Sequence, residues 1–173
     1  MTVARFEGLD PDEHVITWMT MSFAGSAESS VRGAFPLGLG RVGLAAGPNA
    51  GIAHREMLRH VPRVPRGRRG AIALWALAAN NCGFPVVGGD MVLGLSNQRR
   101  VHVWRPRFWL ARPGAHAGWF PCTRIVQVAA TRQFVTMSMT WLIDDGTMLG
   151  FESMHARRLR AFADALRDAQ ASR

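Results

Sequence analysis

The chain contains no lysine, no tyrosine and only two cysteines in 173 residues. Cys82 and Cys122 allow at most one internal disulfide, and a chain that buries about 70% of its unfolded surface needs none. Charge is sparse, 19% against 48% hydrophobic, which excludes a disordered, collagen-like or coiled-coil chain. No basic start followed by an apolar core opens the sequence. Residues 1–13 carry Arg5 but also Glu7, Asp10, Asp12 and Glu13, so a signal peptide is not expected. A strongly apolar run long enough to span a membrane is also missing. The nearest stretch, 33–53, has the small-residue spacing Gly43-x-x-x-Gly47-x-x-x-Gly51, but also Arg41, Pro36, Pro48 and six glycines. A central Arg costs about 2.5–3.5 kcal/mol on insertion scales, so the stretch reads as a Gly-rich connector. These absences describe a globular, cytoplasmic chain.

What is present in excess is arginine. All 21 basic residues are Arg, and the formal net charge is +9. G+C-rich codons alone would produce such a composition, yet guanidinium groups attract nucleic acid, anionic lipid and acidic partners whatever their origin. Residues 55–69 hold six Arg against the single Glu56, with Pro62 and Pro65 interrupting any helix. The 63–69 part reads as a solvated basic loop or linker.

Residues 14–23 (HVITWMTMSF) alternate with period two and predict a strand, closed by the polar 25–30 turn. A short helix is expected over 50–61. Residues 71–81, opened by Gly70 and stopped by Gly83 and Pro85, predict a helix that is apolar almost all round and therefore buried. Runs at 91–96 and 101–105 flank the polar residues 97–100 and predict a hairpin. A strand over 107–112 would end at Pro113-Gly114. Further strands are expected at 124–129 and 134–143, the second with Thr136, Ser138 and Thr140 facing outward. Asp144-Asp145-Gly146 is a turn signal before a strand at 147–151. Residues 155–170 place Leu159, Phe162 and Leu166 on one stripe of an amphipathic helix.

Three segments, MVLGLSNQRRVHVW (91–104), GWFPCTRIVQV (118–128) and WLIDDGTMLGFES with ARRLRAFADAL (141–166), resemble in order the bacterial pleckstrin-homology-like domains. Glu13-His14-Val15 is similar to the start of the first strand of such proteins. The resemblance covers about half the chain, residues 90–169, and leaves 26–89 without a counterpart. The resulting fold class is α+β: an antiparallel, pleckstrin-homology-like, partly open barrel capped by a C-terminal helix, with a Gly-rich and helical N-terminal segment. Residues 1–89 would pack on a barrel formed by 90–173. An apolar sheet face hidden by curling and by the helix gives the same picture physically; a plain α+β sandwich is the alternative.

Chemistry-bearing motifs are weak. Gly38-Leu-Gly40-Arg-Val-Gly43 matches a dinucleotide-binding string, but Pro36 and Pro48 flank it and no acid lies near position 63. The six histidines, 14, 54, 60, 102, 116 and 155, show no H-x-x-x-H pair, and the cysteines show no C-x-x-C spacing, so they read as surface imidazoles and buried thiols. Asp144-Asp145 is better explained by its turn than by acid–base work. No catalytic residue, metal or cofactor is expected. The candidate site is the arginine cluster of the first hairpin: Arg99 and Arg100 in the turn, Arg105 and Arg107 past the second strand. In eukaryotic pleckstrin-homology domains such residues hold phosphoinositide head groups, which implies anionic-lipid or polyanion contact here. A solvated basic edge that discourages strand-to-strand aggregation explains them as well. The expected function is a non-enzymatic binding or scaffold module whose partner is another protein or a second copy of the chain. A peripheral membrane protein that binds anionic lipid is the alternative, and nucleic acid held by residues 55–69 ranks last.

Overall fold

The computed structural model describes residues 6–24, 68–88, 90–107, 112–133 and 136–171. The Gly-x-Gly string, the 33–53 stretch, the 50–61 helix and the basic segment as far as residue 67 lie outside them. Strands β1 (Val15–Phe23), β2 (Asp90–Ser96), β3 (Arg100–Arg107), β4 (Arg112–Pro121), β5 (Ile125–Gln133), β6 (Thr136–Ile143) and β7 (Met148–Ser153) form one sheet. Helix α1 (Arg68–Asn81) precedes β2, a 3-10 turn (Cys122–Arg124) joins β4 to β5, and α2 (Ala156–Ala171) closes the chain.

The strand order is β4-β3-β2-β1-β7-β6-β5, antiparallel throughout, and the sheet is not closed between β4 and β5. β1, from the first part of the sequence, is the central strand, so Val15–Phe23 and the strands after residue 89 share one sheet. Register sorts the side chains onto two faces. Met19 sits opposite Leu93, Leu93 opposite Val103, and Trp141 opposite Leu149, and all five are buried on the inner face. The expected stripe of α2, Leu159, Phe162 and Leu166, is fully buried in the same core. Phe84, from the connector after α1, meets Phe120, Trp141 and Phe151 at 5.6–5.8 Å between ring centroids. α2 also protects an edge: the Arg167 guanidinium donates to the Val128 carbonyl and the Gln170 amide to that of Ile125, covering part of β5.

The outer face explains several departures from the sequence reading. Gly150, on the opposite side of β7 from Leu149 and Phe151, lies against Trp75 of α1; an added Cβ would be 2.7 Å from the indole. Thr140 pairs with Gly150 and is buried, as is Ser138, so these two do not face solvent as the alternation predicted. α1 begins at Arg68 rather than after Gly70. It is buried on one side only, through Leu74, Trp75, Ala78 and Ala79, while Leu77 is exposed. β4 runs through Pro113-Gly114 instead of stopping there. Proline is tolerated because β4 ends the sheet order and its pairing with β3 is irregular beside Pro106.

Candidate functional site

The first hairpin is tighter than the sequence implied. Its loop is Asn97–Arg99, closed by the Arg99 N–H donating to the Ser96 carbonyl at 3.1 Å, and Arg99 takes a left-handed φ of 57°. Arg100 therefore belongs to β3, and Arg105 and Arg107 lie within that strand rather than past it. Arg99 and Arg107 are separated by the whole of β3, roughly 25 Å at 3.3 Å per residue, so the four arginines do not converge. Arg100 is already engaged. Its guanidinium donates to Asp10 at 2.6 Å and Glu13 at 3.5 Å and lies 4.4 Å above the Trp119 ring.

Those acids belong to a strap, residues 6–13, that crosses the outer face of β1–β4. Phe6 packs on Trp18 and Trp104, with centroids at 5.9 and 5.1 Å, and the Trp104 indole N–H donates to the Glu7 carbonyl at 2.8 Å. Gly8 has a φ of 78° and passes so close to His116 that an added Cβ would lie 2.2 Å from its Nδ1. Beneath the strap the Glu13 carboxylate, fully enclosed, accepts from Ser96 Oγ at 2.5 Å and from His102 Nε2 at 2.8 Å. His102 Nδ1 lies 3.0 Å from His116 Nε2. Because the carboxylate can only accept, neutral rings order the chain as His116 N–H to His102, and His102 N–H to Glu13.

Burial works to raise the Glu13 pKa, but the hydrogen bonds from Ser96 and His102 outweigh it and hold the carboxyl below its ordinary 4.5. Burial first, and the neighbouring His102 second, push His116 below its ordinary 6.5. The expectation of surface imidazoles fails for His102, which is completely buried. Positions 13, 102 and 116 share no local spacing; the β3–β4 pairing brings the two rings together and the strap adds Glu13. A polar residue alternating with Val101 and Val103 was the one available signal.

The N-terminal end of α2 has a different character. Arg132, Met137, Arg157 and Arg160 line an open groove of about 580 Å³, and Ile16, Trp18 and Arg158 line another of about 360 Å³ on the far side of Ala161. Asp164 lines the larger groove as well but is held by Arg167 at 2.5 Å, and among the described residues no acid forms an ion pair with any of these four arginines. Such an array can take multiply charged oxyanions, because each guanidinium presents a planar fork of donors.

Cys82 and Cys122 are both free and buried, and burial pushes the Cys122 thiol up to about 12. No cluster of three or more His, Cys, Asp and Glu side chains suited to a metal ion exists among the described residues, and no helix there is long and apolar enough to cross a membrane. The chain matches no family model, no curated protein and no solved structure.

Proposed function

We propose that this chain is a non-enzymatic binding module of the pleckstrin-homology-like type, with its ligand face in the arginine-lined groove beside α2 rather than on the first hairpin. Two hairpin runs joined through β1 and a closing helix support the fold part of this reading. The non-catalytic part is supported by where the reactive groups lie. Glu13 and His102 are enclosed under the strap and bonded to each other, while the open grooves are lined mainly by arginine and apolar side chains, with Asp164 in one and Thr17 in the other. The observation that carries the ligand assignment is that Arg132, Arg157 and Arg160 come from two different elements, surround one groove, and have no acidic partner among the described residues.

Calorimetric titration of the full chain with inositol hexakisphosphate tests it. Hydrogen bonds between charged groups contribute about 1.5–3 kcal/mol each, so replacing the three arginines together, R132Q/R157Q/R160Q, weakens binding by about a hundredfold or more. Equal affinity in the variant, or no binding by the unaltered chain, overturns the assignment.

A further inference from the structure

The arginines of α2 stand beside apolar side chains that the fold leaves outside. β1 is bulged between Val15 and Thr17, so that Ile16 has no partner on β2 and is 60% exposed. Bulges re-aim side chains, and this one directs an isoleucine into the groove it shares with Arg158. Met154, in the bend between β7 and α2, is 74% exposed. Continuing the Ser22–Glu152 register places it level with Thr20, about 13 Å along β1 from Ile16. An isoleucine, a methionine and four arginines therefore share one end of the molecule. The charge order of α2 adds a second sign. Arg157, Arg158 and Arg160 occupy its first turns with no acid in the first, while Asp164 and Asp168 follow later. Cations there oppose the helix dipole, an arrangement that stability alone does not favour.

We propose that this end of the protein docks on an anionic phospholipid surface, with Met154 and Ile16 entering the interface and Arg132, Arg157, Arg158 and Arg160 meeting the phosphates. The inference rests on the reading of the α2 groove as the ligand face and names its ligand. Basic residues outside with apolar tips among them suit the headgroup boundary, where an arginine gains by attraction and a buried apolar side chain by leaving water.

Flotation of the full chain with vesicles of phosphatidylcholine, alone or mixed with phosphatidylglycerol, is the test. The chain floats with the mixed vesicles only. R157Q/R158Q/R160Q lowers the partition coefficient by about a hundredfold, at about fivefold per arginine. I16T/M154S lowers it by about tenfold or more while leaving inositol hexakisphosphate binding in place, which also shows that this variant is folded. Equal flotation with neutral vesicles, or undiminished flotation of either variant, overturns the proposal. A chain that binds inositol hexakisphosphate but floats with neither vesicle overturns membrane docking and leaves the groove assignment standing. A chain that does neither overturns both.

Discussion

Two arginine-bearing regions of this molecule differ in one respect, whether their guanidinium groups are ion-paired. Under the strap, Arg100 is met by Asp10, Glu13 and the Trp119 ring, and the acid it faces is itself bonded to Ser96 and His102. At the start of α2, Arg132, Arg157, Arg158 and Arg160 make no ion pair among the described residues, Asp164 in the same groove being held by Arg167, and Met154 and Ile16 stand exposed nearby. The first region uses arginine to hold chain to chain. The second leaves arginine available to something else. Sequence alone ranks the hairpin cluster first because it cannot show which guanidinium groups are already occupied.

The sharpest contrast lies within α2. Phe162→Ala, on the inner stripe, costs about 3–5 kcal/mol of stability through lost burial and the cavity it leaves. R157Q/R158Q/R160Q, on the outside, leaves stability unchanged or slightly higher, because it removes cations from the wrong end of the dipole. Urea unfolding of both variants checks the pair. Next comes Glu13→Ala, which strips the enclosed His102 of its acceptor and Arg100 of one partner. Breaking a buried pair in this way costs about 3 kcal/mol in the same assay.

Acid should loosen the strap before it disturbs α2. His116 holds its pKa below 6.5 in the folded chain, so the unfolded chain binds more protons and stability is lost as pH falls from 6.5. Glu13, held below 4.5, adds a second loss of the same sign as pH falls from 4.5 towards its folded value. Stability followed against pH should therefore decline in two windows, and Glu13→Gln should abolish the lower one. Arg99→Gly is the smallest effect expected. It relieves a left-handed residue and raises stability by about 0.5–1 kcal/mol, read as an upward shift in melting temperature, without altering polyanion binding.

Much of the fold was legible because it rests on local period. The β1 alternation, the Asp144-Asp145-Gly146 turn and the Leu159–Phe162–Leu166 stripe each depend on neighbours a few residues apart, and each stands where it was expected. Errors arose where a second layer or an edge overrode the pattern. Ser138 and Thr140 alternate as outward residues yet are buried, and Pro113-Gly114 reads as a stop yet lies in β4, at one end of the strand order. The candidate groove was not legible at all. Arg132 comes from β5 and Arg157 and Arg160 from α2, and that the Asp164 beside them is held by Arg167 is a property of packing. Ile16 looked like one more residue of a strand until the bulge turned it out.

The central claim is that anions meet the protein at the start of α2 and not at the hairpin. An amide-resolved NMR titration of the full chain with inositol hexakisphosphate tests it most directly. The account predicts shifts concentrated at Arg132 and residues 156–161, with those of residues 97–107 unmoved. Shifts centred on Arg99, Arg105 and Arg107, with α2 silent, would contradict it.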